Sequence, residues 1–290
     1  MSRPTILLTG ARGQVGAQLA AQLATHGDVT AVDRGTLDLA DPDAIVAAVR
    51  GLKPDLIVNA AAYTAVDRAE TERDLAFAVN AIAPGILAAE AKRLSAVLIH
   101  YSTDYVFDGT ARVPYAEDAP VAPLSVYGAS KLAGEQAIAA TGVRALTLRT
   151  SWVYGMHGSN FLLTIRRLAA TRDELRIVAD QTGVPNWCRE LAAATVRIVA
   201  MGLPAVADRS GLYHVSSKGQ ATWFDFARAI VGDVPIPRIV PITTAEYPLP
   251  ARRPAYGVLA TGRFERTFGF ALPPWRDALA ACLAGPSTPG

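Results

Sequence analysis

Tyr127 stands four residues before Lys131 in the stretch SVYGASKLAGEQAI (125–138), where a helical pattern begins. Positions i and i+4 share one helix face, so a phenol and an amine are brought together. A free tyrosine, with a pKa of roughly 10, is a poor proton shuttle at neutral pH. A neighbouring ammonium stabilises the phenolate and moves that pKa toward the useful range. Lysine has three donors, enough to hold a sugar hydroxyl as well. Such a pair suits protonation of a ketone oxygen as hydride arrives at the carbon. The plain alternative is a solvated helix face. Position favours the chemistry: one strand–helix step upstream, HYSTDYVF ends a strand in Ser102 and Thr103, whose hydroxyls can polarise a carbonyl oxygen.

A hydride needs a carrier, and the first strand ends in a turn suited to one. TGARGQVG places glycines at 10, 13 and 16. Such glycines allow a tight turn, close backbone approach to a pyrophosphate and close helix–strand packing, with the phosphates on the helix N-terminus. The spacing is G-x-x-G-x-x-G, and a strand–helix turn also uses glycine for purely structural reasons. Asp33 closes the second strand, where a carboxylate binds the adenosine ribose. Arg12 inside the loop and Arg34 after Asp33 can pair with a 2′-phosphate. The mixed signal predicts NADPH as cofactor with NADH also accepted. Gly10, Arg12, Gly13, Gly16, Asp33 and Arg34 are therefore candidate cofactor residues. Asp38 and Leu39 are candidates for the adenine end, although Asp38 also suits a turn.

These residues need a scaffold, and the first half of the chain supplies one. Apolar runs TILLTG, DVTAVD, DLIVNAAA, AVLIHYST and ALTLRTSWVY read as strands. They alternate with helical patterns over Gln14–Ala24, DPDAIVAAVRGL (with Asp41 as cap and Pro42 first), Arg73–Leu94 and Tyr127–Ala140. The alternation predicts an α/β fold, a Rossmann-type doubly wound parallel sheet with right-handed crossovers. Ligands then sit at the carboxyl ends of the strands, where the segments ending in Gly10, Asn59, Ser102 and Thr150 should converge. Residues 1–153 read as the dinucleotide-binding domain. After Trp152 eight prolines between Pro185 and Pro254 break the chain into short pieces, so 154–284 reads as a smaller substrate-binding lobe interleaved with the core. GPSTPG (285–290) is expected to be a disordered tail.

Composition narrows the classes. The chain has 290 residues, 51% of them hydrophobic, and a net charge of +2. A substantial core is expected, and nothing basic points to nucleic acid. Cys188 and Cys282 match no metal or redox spacing and read as reduced thiols; His26, His100, His157 and His214 are scattered, and no metal is expected. MSRPTILLTG runs directly into a strand, leaving no room for a signal peptide, and LAAATVRIVAMGLPAVA is broken by Arg197 and Pro204, so no membrane span is expected. A cytoplasmic location follows.

Taken in order, TGARGQVG, VNAAAYTAVDRAE, HYSTDYVFDGT, VYGASKLAGE and RTSWVYG resemble the extended short-chain dehydrogenase/reductase superfamily, and within it the dTDP-4-dehydrorhamnose reductase family. The resemblance continues through LRIVADQTGVP, GLYHVSSKGQATWFDFA and YPLPARRPA, so it covers nearly the whole chain. It implies Thr103, Tyr127 and Lys131 as the catalytic trio, with Tyr127 as proton donor. Gly13, Gln14, Val15, Asp33, Asp38, Leu39, Ala62, Tyr63, Thr64, Tyr101, Tyr127 and Lys131 are implied around the cofactor. Thr103, Asp104 and Trp152 are implied against a nucleotide-sugar, with Arg253 as its diphosphate clamp. A carboxylate and a flat indole suit a sugar, although an aromatic there suits a core as well. The implied reaction is NAD(P)H-dependent reduction of the C4 ketone of dTDP-4-dehydro-β-L-rhamnose. A homodimer is compatible with the resemblance; the magnesium-bridged dimers of some members use glutamates, and Gln18 stands near where one is needed.

Two departures fall in the lobe. Pro254 is followed by AYGVL in place of an Asn-Ser pair, and VPNWCREL carries Trp187 in place of a small polar residue. Both put the sugar or nucleotide in question more than the chemistry. Within the superfamily, a dehydratase is disfavoured because Asp104 is followed by Tyr105 in place of a second acid; an epimerase is not separated by sequence. From another class, the non-catalytic β subunit of methionine adenosyltransferase shares the nucleotide fold, and the intact trio argues against that role.

Overall fold

Six short apolar runs pair into one parallel sheet in this computed structural model, which describes residues 3–232 and 234–285. They are β1 Thr5–Thr9, β2 Asp28–Val32, β3 Leu56–Asn59, β4 Val97–Thr103, β5 Ala145–Thr150 and β6 Gly211–His214. The spatial order is β6-β5-β4-β3-β1-β2, all neighbours parallel. The chain leaves β1 toward β2 on one side and returns to β3 on the other, so the switch point lies at β1/β3, where a crevice opens at the carboxyl ends. β3 and β5 are buried throughout, as expected for parallel strands covered on both faces, whereas the edge strand β2 is largely exposed.

Alternation along β1 sorts the core into two halves. Ile6 and Leu8 point into one cluster with Leu19, Val58, Leu148 and Leu191. Leu7 points into the other with Ile57, Leu87, Leu98 and Ile138. The helices are punctuated as their sequences indicate. Asp41 caps Pro42–Leu52 by accepting from the Asp43 and Ala44 amides. Ser125 caps Val126–Thr141, which ends on left-handed Gly142.

The run Arg73–Leu94 is long and apolar enough to cross a membrane by length and composition, with mean hydropathy 1.3, yet half of that window is buried in the fold. A π-helical turn at Ala78–Ile82 interrupts it and presents Asn80 inward. Asn80 donates to the Tyr63 carbonyl and the Ser130 hydroxyl and accepts from the Tyr63 amide, so it joins the loop after β3 to the helix carrying Tyr127.

One strand expectation is corrected. The fifth strand stops at Thr150 and does not run on through SWVY. Trp152 takes the left-handed region (φ 42°) and turns the chain out of the sheet, so Val153–Tyr154 pairs with Asn186–Trp187 in the lobe. The sheet's sixth strand comes from Gly211–His214, beyond most of the lobe, and pairs with β5. The lobe has its own aromatic core, holding Tyr154, Trp187, Phe226 and Trp275 with Cys188 and Cys282. Both cysteines are free and buried, and burial pushes both thiols up, to about 12 and about 11. Of the expected tail, 286–290 lie outside the described residues.

Candidate active site

A cleft of about 790 Å³ opens along the carboxyl ends of β1, β3, β4 and β5. That is near the upper end for a ligand pocket. Of the residues singled out from sequence, Gly10, Arg12, Gly13, Gln14, Val15, Asp33, Arg34, Asp38, Leu39, Ala62, Tyr63, Thr64, Tyr101, Thr103, Asp104, Tyr127, Lys131 and Trp152 line it. Gly16 and Arg253 are not among the lining residues.

Gly10 and Gly16 explain the first turn. Gly10 has φ +73°, and a side chain there would meet the Ala60–Ala61 backbone at 2.6 Å. A Cβ on Gly16 would lie 2.0 Å from the Gly10 carbonyl oxygen, so this glycine lets the helix Gln14–Leu23 close on the turn. Gly13 occupies the N-cap position, and no acidic side chain lies in the first helical turn. Free amides and a positive helix end therefore face the cleft, a fit for a pyrophosphate. Gln14 has a second role: its side chain accepts from Asn160 (2.9 Å) and donates to the Val153 carbonyl (3.3 Å), tying the turn to the lobe.

The far end of this half is charged and open. Asp33 accepts from the Gly35 and Thr36 amides and pairs with Arg12 at 2.6 Å, the Arg12 side chain being 89% exposed. Arg34 lies 3.9 Å from Asp38. A carboxylate for ribose hydroxyls and two guanidiniums for a 2′-phosphate thus share one rim. The residues present fit a nicotinamide dinucleotide, phosphorylated or not.

The opposite end is buried. Glu70 accepts from the Val126 amide (2.9 Å), helping to seat the helix that carries Tyr127 and Lys131. Thr103 donates to Asp104 (3.1 Å) and accepts from the Tyr105 amide (3.2 Å). Burial pushes the Asp104 carboxyl up to about 7, with the Thr103 hydrogen bond opposing. Gly257 makes room for this carboxylate, since a Cβ there would lie 2.4 Å from Asp104 Oδ2.

The expected lowering of the tyrosine pKa is corrected here. Burial pushes the Tyr127 phenol up to about 12, the Thr103 hydroxyl opposing and the Asp104 charge adding to the rise. Burial also weakens the ammonium meant to lower it, bringing Lys131 down to about 8 against the opposing charge of Glu135. Lys131 Nζ is held by the Tyr101 carbonyl (2.6 Å) and lies 3.2 Å from His100 Nε2. A phenol that stays protonated at neutral pH is what a proton donor requires.

Other side chains are committed elsewhere. The Ser102 hydroxyl donates to Glu135, which also holds Arg149 in a buried bidentate pair (2.6 and 2.9 Å), so Thr103, whose hydroxyl can turn from the adjoining Asp104, is the one of the two placed to serve a carbonyl. Tyr101 lines the cleft, but its hydroxyl lies 2.5 Å from Thr195. Tyr63 donates to Glu72 at 2.6 Å. One face of Trp152 is taken: Trp223 stacks on it with centroids 3.5 Å apart and planes 9° from parallel, and Gly183 abuts the ring. Trp223, which also lines the cleft, was not among the candidates; its only sequence signal was an aromatic at the start of the WFDFA helix pattern.

Arg253 forms a two-armed pair with Asp67 (2.8 and 3.0 Å), fastening the lobe to the short helix Val66–Ala69 after β3. Neither departure lines the cleft. Trp187 is a buried core residue under Arg189, and Tyr256 packs toward Tyr115. Among the described residues, no group of three His, Cys, Asp or Glu side chains is arranged to hold a metal ion.

A doubly wound parallel sheet, a glycine turn at the end of β1, Thr103 at the end of β4, and Tyr127 and Lys131 on the helix that follows define a nicotinamide-dependent oxidoreductase of the short-chain dehydrogenase/reductase type. More narrowly, the chain belongs to the family described as the RmlD substrate binding domain, which matches residues 4–287. It is 49% identical to the dTDP-4-dehydrorhamnose reductase of Burkholderia thailandensis, over 96% of this chain and 97% of that protein. It is 43% identical to the enzyme of that name from Sinorhizobium fredii, over 94% of each. A crystal structure of dTDP-4-dehydrorhamnose reductase from Bacillus anthracis in complex with NADP superposes with a TM-score of 0.91 at 35% identity, covering 99% of this chain and 100% of that one.

Proposed function

We propose that this protein reduces the C4 ketone of dTDP-4-dehydro-β-L-rhamnose to dTDP-β-L-rhamnose with NADPH, the step that completes an activated deoxysugar. The observation that carries this reading is the meeting of Thr103, Tyr127 and Lys131 at the inner end of a cleft whose other end bears Arg12, Asp33 and Arg34. Similarity over nearly full length to reductases of that name supports the substrate.

The bound cofactor supplies the hydride. Gly10, Gly13, Gln14 and Val15 hold its diphosphate turn, and Arg12 and Arg34 neutralise a 2′-phosphate beside Asp33. Ala62, Tyr63 and Thr64 wall its middle. Thr103 donates toward the ketone oxygen and Tyr127 gives that oxygen its proton; the resulting phenolate is stabilised by Lys131. Asp104 accepts from sugar hydroxyls. Arg253, released from Asp67, clamps the diphosphate of the nucleotide-sugar, and residues 154–284 act as the substrate-binding lobe. Burial of Thr103 and Lys131 reduces water at the reacting oxygen and strengthens each of these interactions. A positioned proton donor typically contributes 10²–10⁴-fold.

The test is NADPH oxidation by the purified protein, with dTDP-4-dehydro-L-rhamnose generated in place. Equal amounts of dTDP-rhamnose formed and NADPH consumed are expected; cofactor binding without turnover would overturn the substrate assignment.

A further inference from the structure

We propose that His100 is a positioning residue for Lys131, locked as the Nε2–H tautomer by a hydrogen-bond chain across the sheet, so that it faces Lys131 with a donor and favours the neutral amine.

The chain follows from strand register. Thr9 of β1 pairs with Asn59 of β3, and Asn59 pairs with His100 of β4, so three side chains stand in one row beneath the cleft. All three are buried, Asn59 and His100 completely. Thr9 donates to Asn59 Oδ1 at 2.6 Å, and the Ala61 amide donates to the same oxygen at 3.3 Å. The amide oxygen is thereby fixed on that side, leaving Nδ2 to face His100 Nδ1 at 3.0 Å. An amide NH₂ only donates, so Nδ1 must be the unprotonated ring nitrogen. A neutral imidazole then carries its proton on Nε2, which lies 3.2 Å from Lys131 Nζ.

An ammonium has three donors and no acceptor, so against Nε2–H it leaves two donors facing each other. A neutral amine has a lone pair and accepts, while still donating to the Tyr101 carbonyl. An imidazolium would place a proton against Asn59 Nδ2, and burial together with the Lys131 charge disfavours it. The other charged and titratable groups around Lys131 act in opposing senses. Glu135, one turn along the same helix, favours the ammonium, but it is paired with Arg149 of β5. Tyr127, a turn earlier on the helix, and Asp104, beyond the end of β4, have their neutral forms favoured by burial. Burial alone brings Lys131 down to about 8, and the row of side chains under the sheet acts in the same direction.

Two measurements test this. In protein labelled with ¹⁵N-histidine, imidazole ¹⁵N–¹H correlations assigned by single His→Gln variants at positions 26, 157 and 214 should show His100 as neutral Nε2–H from pH 6 to pH 9. An Nδ1–H tautomer, or titration near an ordinary pKa of about 6.5, would overturn the proposal. In His100→Gln the side-chain oxygen can turn toward Lys131 and accept from the ammonium. The pH limb of turnover that disappears in Lys131→Met should then move up by about one pH unit or more. An unmoved limb with reduced stability would mean that His100 is only structural. The second measurement rests on the reductase reading, and the first does not, so the two failures are distinguishable.

Discussion

The two ends of the cleft are built on opposite principles. At the catalytic end Thr103, Asp104 and Lys131 are buried, with their polar atoms tied to neighbours fixed by the sheet and the helix Val126–Thr141, and Tyr127 is half-buried beside them. At the adenosine end Arg12, Asp33, Arg34 and Asp38 form ion pairs at the surface, with Arg12 and Arg34 largely exposed. Buried polar groups are costly to leave unpaired, so the catalytic end tolerates little change. Exposed pairs are worth about 0–1 kcal/mol, so the adenosine rim can be altered with little effect on the fold. Chemistry is set where the protein is rigid and dry; cofactor preference is set where it is wet and replaceable.

The contrast is broken most directly at the phenol. Tyr127→Phe should lower kcat by roughly 10²–10⁴-fold, the range of a lost proton donor, with NADPH affinity by fluorescence titration near wild type. Retained turnover would remove Tyr127 from that role. Arg253→Ala comes next. Removing a charge-assisted two-armed contact should raise KM for the nucleotide-sugar by roughly 10–100-fold and leave KM for NADPH unchanged. Equal changes in both constants would show that Arg253 only fastens the lobe through Asp67.

Asp104 offers a smaller, pH-dependent test of burial. Its pKa rises from 3.8 to about 7 on folding, so between these values the folded state binds the extra proton. Its contribution is therefore complete below about pH 4 and is lost as pH rises through 7. Across that window the thermal midpoint of wild type should fall relative to that of Asp104→Asn by a few °C, since roughly 1 kcal/mol shifts a protein of this size by 2–4 °C. Parallel curves would contradict the raised pKa. The smallest effect is expected at the rim: Arg12→Ala should reduce the preference for NADPH over NADH by about tenfold or less, with the thermal midpoint nearly unchanged. An unaltered preference would remove Arg12 as the reader of the 2′-phosphate.

Much of the nucleotide half was readable because its signals are local. TGARGQVG, the Asp41-Pro42 start and the Tyr127–Lys131 spacing each encode their geometry within one helix turn or one loop. What escaped is long-range. The Thr9–Asn59–His100 row depends on strand register, which no single segment contains, and His100 read as one scattered histidine among four. β6 pairs with β5 across an intervening stretch of sixty residues. Trp152 was legible as an aromatic at the cleft, but its left-handed backbone and its stack on Trp223 depend on a partner seventy-one residues away. The tyrosine pKa ran opposite to expectation because spacing alone does not report burial.

The central claim is hydride delivery to one carbon beside a proton-donating Tyr127. It is tested most directly with NADPH carrying deuterium at nicotinamide C4 and dTDP-4-dehydro-L-rhamnose as substrate, with the product read by NMR. Deuterium at C4 of the rhamnosyl ring, one atom for each NADPH oxidised, is the predicted result. Deuterium at another ring carbon, or altered sugar with none incorporated, would contradict it.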